Sequence, residues 1–440
     1  MPSNPETGPN GGTMANLTTA FPTSFVYVQF DPNSNEKRKN AKSHAVRQGI
    51  LTKRQTQTRD GNNFKHYSPS PARLQWEPFD VLPVPGSRLK RLLNTPIASR
   101  LVEPVFSLEG DNSFLSYQTV FRTGFQDEAL PHALMTLLTH QQPSNTDHYK
   151  HKSAAIGVIQ HRLASTQTAV LPSTIGAILM LASVECHLEN ISGAETHLIG
   201  VKNILALADK TKSHLPDQLR RAIFWQDLNS SLLIGTARVF ECAYFIDSPL
   251  PTSNTPKNVP HGFQRQRHQL GDDFVGAVSQ LMELEATCQN ADAKHDAATM
   301  ATIDDQQALI EDRLYHCWNK ARTTANTLLQ ACALAAYICT YMMHTDIWQN
   351  HRIPSACAFK LLQLLEAQDL AVYQDVYLWL LVIGGTLSTP DVQQRYTKLW
   401  QTSLDIKKSD WKDIDATLQG YIWPRKISNM CKAAWRKFIP

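Results

Sequence analysis

Apolar residues recur at spacings of three and four in segment after segment of this chain from about residue 112 onward. Because an α-helix turns once every 3.6 residues, this spacing places them on one helical face. No strand-like alternation of apolar and polar residues competes with the pattern in this region. The pattern therefore predicts an all-α body, and 440 residues are enough for two helical lobes.

The helical pattern is clearest in a series of segments that we predict as helices: 130–140, 149–163, 173–188, 194–208, 216–246, 271–287, 321–347, 355–368, 373–384 and 391–404. Four prolines between Pro249 and Pro260 interrupt this series, because proline cannot continue a helix. We therefore predict a lobe boundary at 247–270. No fixed repeat of about 30–45 residues supports a regular solenoid.

The first quarter of the chain has a different composition. Residues 1–24 are polar and turn-rich, and seven prolines lie between Ser68 and Pro104. Such segments favour disorder or an extended connection over a packed core. We predict a disordered, basic N-terminal arm at 1–67, a Pro-rich linker at 68–111 and a helical domain at 112–440.

Basic residues are concentrated in a helix-compatible run between Lys37 and Arg59. On a helical wheel, Arg38, Lys39 and Lys42 lie within about a third of the circumference. Lys53 also lies there if the helix continues past Gly49. The net charge of +4 is too small to mark the whole molecule as nucleic-acid binding. The run is either a solvated arm, a nonspecific contact to DNA phosphates or a nuclear import signal. The candidate residues are Lys37, Arg38, Lys39, Lys42, Arg47, Lys53 and Arg54.

Eight cysteines occur, none in a Cys-x-x-Cys pair, and most lie in apolar helical segments. They are interpreted as reduced core thiols of an intracellular protein. Cys332 and Cys339 lie two turns apart without further ligands at zinc spacing, so we expect no metal and no cofactor.

Enzyme motifs are absent from the sequence: it contains no Gly-x-Ser-x-Gly, no Gly-x-x-x-x-Gly-Lys, no Gly-x-Gly-x-x-Gly and no His-Glu-x-x-His. The pairs Asp304-Asp305 and Asp272-Asp273 lack the further carboxylate of a diphosphate–magnesium site. The sequence therefore predicts a protein that is not an enzyme.

Two further features allow alternative interpretations. His187 and His197 lie near Glu185, Glu189 and Glu195, so an acid–base cluster is conceivable there, although packing or surface roles are favoured. Residues 323–343 carry no charge over a length that spans a bilayer. Polar residues at one end of this segment favour a buried helix, and we expect no membrane contact.

Several motifs taken together resemble a known family. Phe25-Val26-Tyr27-Val28, followed by Arg38-Lys39 and Ser43-His44-Ala45-Val46-Arg47, is similar to the N-terminal signature of fungal proteins related to zinc-cluster transcription factors. Residues 174–208 resemble a helix pair of the fungal-specific transcription factor domain. Residues 378–385, Arg395-Tyr396, Trp400, residues 419–423 and Trp435 continue the similarity.

The resemblance implies a nuclear, transcription-regulator-like protein whose all-helical body binds the transcription machinery, other regulators or a small effector, with a homodimer as an open alternative. Lys42 and Val46 replace the usual Arg and Met, and Ala208-Asp209-Lys210 replaces an Arg-Gly-Gly. The six-cysteine zinc cluster that reads DNA in this family is not found in the sequence. Two alternatives stay open: a scaffold that does not bind DNA, and an all-α enzyme.

Overall fold

In the computed structural model, the described residues are 92, 127–140, 147–241, 258–290, 297–344, 352–367, 370–403 and 411–436. Within these ranges most residues are helical and no strand occurs. The predicted all-α fold is confirmed. Of the predicted arm and linker, only Leu92 is described, and it is helical and buried in the same core as the domain.

The first group of helices precedes the predicted lobe boundary. It comprises α1 (Ala129–His140), α2 (Asp147–Leu163), α3 (Thr166–Ala169), α4 (Pro172–His187), α5 (Ile191–Thr211) and α6 (Asp217–Ile234). Helix α4 is buried along most of its length and packs against α1, α2, α5 and α6. It therefore forms the centre of this group.

The second group follows the boundary. It comprises α7 (His261–Arg265), α8 (Arg267–Asn290), α9 (Ala297–Thr323), α10 (Thr327–His344), α11 (Arg352–Ala367), α12 (Gln374–Thr386), α13 (Pro390–Ser403), α14 (Trp411–Leu418) and α15 (Arg425–Trp435). Helix α10 is central here and contacts α8, α9, α11, α12 and α15. The two groups meet where α6 packs against α9 and α11.

Local sequence signals account for several helix ends. The Asp127 carboxylate accepts hydrogen bonds from the backbone N–H groups of Ala129 and Leu130, at 2.9 and 3.0 Å, and so caps α1. Pro172 begins α4, where its missing N–H leaves no bond unmade. The Asn190 side chain caps α5 by accepting the Gly193 N–H.

Two predicted helices differ from the structure. The helix predicted at 216–246 ends at Ile234, because Gly235 adopts the left-handed conformation with φ of 77°. The helix predicted at 321–347 is divided between α9 and α10, with Ala325 at φ of 53° in the break. The Asn326 side chain then caps α10 by accepting the Leu329 N–H.

The uncharged segment at 323–343 forms the end of α9 and most of α10. Residues 331–343 are all buried inside the helical body, as the prediction of a buried helix requires. Among the described residues, none of the helices combines the length and hydropathy needed to cross a lipid bilayer.

Aromatic rings join the C-terminal helices to α7 and α8. The Phe263 ring meets those of Phe274, Trp379 and Tyr421 edge to face, with centroids 5.4, 5.1 and 5.1 Å apart. The Trp379 indole N–H donates to the carbonyl of Ile422 at 3.3 Å, so its polar group is satisfied in the core. These contacts place the 419–423 motif against α12.

Candidate functional site

A charged cluster lies where the two helix groups meet. Arg238, in the segment after α6, donates to Asp227 of α6 through Nε and to Asp312 of α9 through Nη1, both at 2.7 Å. Asp227 is fully buried, and Arg238 and Asp312 each keep only 12% of their side-chain surface exposed. One guanidinium therefore joins α6 to α9 through two carboxylates.

The remaining polar atoms of this cluster are also satisfied. Asp227 accepts the backbone N–H groups of Val239 and Phe240 at 2.9 and 3.2 Å, and Arg238 donates to the Phe240 carbonyl. Burial raises the pKa of Asp227. Burial alone lowers the pKa of Arg238, but Asp227 and Asp312 reverse this and raise it. Arg238 is therefore a permanent positive charge at the junction.

Next to this cluster, Glu311 is a carboxyl group buried to 1% exposure without an ion-pair partner among the described residues. Its Oε1 accepts from Gln307 at 2.7 Å and from Thr340 at 3.1 Å, and its Oε2 accepts from the Tyr337 hydroxyl at 3.4 Å. Trp225 of α6 also contributes a hydrogen bond. Residues of α6, α9 and α10 thus surround one carboxyl group.

Burial raises the pKa of Glu311 from 4.5 to about 7, although these hydrogen bonds oppose the shift. The folded chain therefore holds a proton on Glu311 that the unfolded chain releases above pH 4.5. The stability that this bound proton contributes is complete below pH 4.5 and is lost as the pH rises to about 7. Glu311 is the described group best placed to couple the junction to protonation near neutrality.

We expect the Glu311→Gln variant to unfold with a weaker pH dependence than the wild type between pH 5 and 8. Because Gln cannot ionise, the variant should gain about 1–3 kcal/mol relative to the wild type at pH 8 and little at pH 5. Urea unfolding at a series of pH values measures this. The control is Glu366→Gln, which removes a partly exposed carboxylate paired with Arg395 and keeps the buried Glu311, so this variant should still lose stability between pH 5 and 8. Parallel pH profiles for wild type and Glu311→Gln would contradict the interpretation.

The predicted acid–base cluster is only partly assembled. Glu185 of α4 is buried and forms an ion pair with Lys152 of α2, and it accepts from Asn190 at 2.6 Å. His197 of α5 approaches it at 3.9 Å. Burial alone raises the pKa of Glu185, but hydrogen bonds from His197, Lys152 and Asn190 outweigh it and lower the pKa to about 2. A carboxylate so strongly held is a poor proton acceptor, so this cluster ties α2, α4 and α5 together.

The other residues of that prediction make different contacts. His187 Nδ1 pairs with the Ser183 carbonyl at 2.8 Å, and the carboxylate of Glu195 accepts the Ala237 N–H at 3.2 Å. Glu189 has a left-handed backbone, with φ of 55°, in the turn between α4 and α5. These contacts are structural in character.

Three carboxylates of the acidic pairs are bound by basic side chains. Asp305 accepts a two-point contact from Arg221, at 2.6 and 3.1 Å, which again joins α6 to α9. Asp272 pairs with Arg267, and Asp273 with Lys320, in exposed positions. In the part of the chain that the structure describes, no three His, Cys, Asp or Glu side chains are grouped to hold a metal ion.

The described cysteines are free thiols, and all except Cys288 are buried. Burial raises the pKa of Cys317 to about 11 and those of Cys357 and Cys431 to about 12. They are therefore protonated, unreactive core groups, as the sequence predicted.

The predicted DNA-contacting or import residues all lie outside the described residues. They are Lys37, Arg38, Lys39, Lys42, Arg47, Lys53 and Arg54. Conversely, sequence reasoning missed Glu311, Arg238 and Asp227. The only signal for Glu311 and Asp227 was an acidic residue at an otherwise apolar helical position, and Arg238, which follows α6, had no such signal.

The geometry is that of a helical body with an apolar core, whose helices are also joined by internal ion pairs. A comparison with models of protein families matches residues 104–419 to the fungal-specific transcription factor domain. The match spans more than half of the chain. The chain belongs to the fungal-specific transcription factor domain family. Searches of curated proteins and of solved structures each gave no significant match.

The family match includes α1 to α14. It ends at Gln419, the first residue of the 419–423 motif, so α15 lies outside it. The helix pair predicted at 174–208 is formed by α4 and α5. Membership of the fungal-specific transcription factor domain family indicates a transcription-regulator-like role for the helical body.

Proposed function

We propose that this chain is a nuclear regulator of transcription whose helical body binds the transcription machinery, other regulators or a small effector. The family match over residues 104–419 is the observation that carries the proposal. The junction of α6 with α9 supports it, because a buried charge cluster gives the two helix groups one defined arrangement that a bound partner or effector can favour or oppose.

The proposal assigns a separate task to the basic run. Seven of its Lys and Arg residues attract DNA phosphates without reading base sequence, or serve as a nuclear import signal. If four or five phosphates are contacted, the logarithm of the binding constant should fall with the logarithm of salt concentration at a slope of about −4.

Replacing the seven basic residues with glutamine should abolish nuclear accumulation or salt-sensitive DNA binding, because it removes their positive charge. Fluorescence microscopy of the tagged chain in fungal cells and DNA retention at several salt concentrations measure the two readouts. The variant carries Lys37, Arg38, Lys39, Lys42, Arg47, Lys53 and Arg54 all changed to Gln.

A charge-matched control carries seven Lys or Arg to Gln changes at exposed positions of the helical body. These are Lys202, Lys210, Lys212, Lys398, Lys412, Lys432 and Arg436. The control variant should keep the nuclear accumulation and the salt-sensitive DNA binding of the wild type. An unchanged result for the arm variant in both assays would remove the proposed role of the arm.

A scaffold without DNA function is the second candidate. The sequence supports it because no six-cysteine cluster is present in the chain. Capture of a regulator by the wild-type chain, with no DNA retention even at low salt, would favour this candidate over the first.

A further inference from the structure

Arg352 is a cation without a counter-ion among the residues that the structure describes. It is the first residue of α11, and its Nη1 is buried without a hydrogen-bond partner. No described acidic side chain forms an ion pair with it. A buried guanidinium N–H that lacks an acceptor is costly, because burial removes the water that would otherwise solvate it. The position therefore favours a bound acceptor.

His140 presents a second unpartnered nitrogen near Arg352. Its Nδ1 is buried without a hydrogen bond, and its ring lies 5.7 Å from that of His148 in an edge-to-face arrangement. Burial lowers the pKa of His140, and positive charge on His148, His187 and Arg352 lowers it further. The side chains of His148, His187 and Arg352, from α2, α4 and α11, are therefore within electrostatic range of His140 in α1.

The nearby acidic group does not neutralise this cluster. The negative charge of Glu185 raises the pKa of His140, whereas the neighbouring cations lower it. Its carboxylate, however, is already bound by Lys152, Asn190 and His197. The first turn of α11 carries no acidic residue, so the positive end of its dipole adds to the field at Arg352.

We propose that Arg352 and His140 form a binding site for a small oxyanion, the carboxylate or phosphate group of an effector. The inference deepens the proposed function, on which it rests, by naming the chemical class of the effector. A planar guanidinium donates two parallel hydrogen bonds to either group, and the unpartnered Nδ1 of His140 can supply a further N–H donor. A metal ion is disfavoured there because Arg352 repels a cation.

Titration of the purified full-length chain with inorganic phosphate, at ionic strength held constant with sodium chloride, tests the site. Isothermal calorimetry should show saturable one-site binding by the wild type. Arg352→Met should weaken this binding at least about tenfold, because it removes the charge and both donors. The matched control is Arg265→Met, an exposed arginine 3.5 Å from Asp375, which should bind as the wild type does.

His140→Gln is the second variant, and circular dichroism reports whether either variant is folded. The His140→Gln substitution should weaken phosphate binding several-fold, and this result can be measured even if Arg352→Met does not fold. Succinate in place of phosphate distinguishes a carboxylate site from a phosphate site, and saturable binding of either supports the proposal. Equal isotherms for wild type, His140→Gln and Arg265→Met, or no saturable heat with either anion, would overturn it. The assay contains no DNA, so failure of the basic arm and failure of this site are separate results.

Discussion

Replacing Asp227 with alanine should lower the free energy of unfolding by about 3–5 kcal/mol, because it leaves a buried positive charge incompletely paired. Asp227 is 0% exposed and accepts from Arg238 and from the backbone N–H groups of Val239 and Phe240. Arg238 would keep its ion pair with Asp312 of α9 but lose its ion pair with α6. Urea unfolding of the full-length chain, followed by circular dichroism, measures the loss.

The control for this variant is Asp272→Ala. Asp272 also pairs with an arginine, Arg267, at 2.7 Å, but the two side chains are 78% and 52% exposed. Exposed pairs contribute less than about 1 kcal/mol, so the control should be nearly neutral. A similar small loss for both variants would show that the junction does not depend on the buried pair.

A double-mutant cycle tests whether Asp227 acts through Arg238. Arg238→Met should also destabilise the chain, since Asp227 then becomes the uncompensated buried charge. In the Asp227→Ala/Arg238→Met variant the loss should be smaller than the sum of the two single losses by about 1–3 kcal/mol. Additive losses would mean that the two side chains contribute independently.

The helical class was predictable because many segments repeat the same apolar spacing, and each repeat adds to the signal. Helix ends were less predictable where one residue decides them. Gly235 and Ala325 both adopt left-handed conformations, and a left-handed alanine has no sequence signature. Helices α14 and α15 were missed because their apolar faces are narrow and rely on α10 and α12 for burial.

The junction was not predictable because its residues are distant in sequence. Asp227 and Asp312 lie on helices that the pattern describes separately, and Arg238 falls in a segment predicted as helix. The spacing of apolar residues predicts which face of a helix is buried, but it does not predict which other helix packs against that face. Glu311 illustrates the same limit, since its partners come from α6 and α10 as well as from its own helix.

Gly384 and Gly385 end the 378–385 motif, and the structure shows why both lack a side chain. An added Cβ at Gly384 would lie well inside 3.0 Å of the Tyr396 hydroxyl, and one at Gly385 would lie similarly close to the Trp435 ring. Tyr396 and Trp435 are fully buried and donate to the carbonyls of Ala358 and Val382. Neither ring has room to move aside without losing its hydrogen bond.

We therefore expect Gly384→Ala/Gly385→Ala to lower the free energy of unfolding by about 3–6 kcal/mol, since overpacking costs about 1–3 kcal/mol per site and hydrogen bonds are lost as well. This loss exceeds the gain of about 0.5–1 kcal/mol that alanine brings to each helical position. Urea unfolding of the double variant and of each single variant measures the balance between the two effects.

The matched control is Gly157→Ala/Gly200→Ala, in α2 and α5, where an added Cβ meets nothing within 4 Å. This variant should gain about 1–2 kcal/mol from helix propensity alone, so the two pairs of identical substitutions should have opposite signs. Adding Tyr396→Phe to Gly384→Ala should recover part of the loss, because the hydroxyl is the atom nearest to the new methyl group. If both glycine pairs stabilise the chain, then α13 and α15 do not approach α12 as closely as the structure places them, and the C-terminal core is looser than its ring contacts indicate.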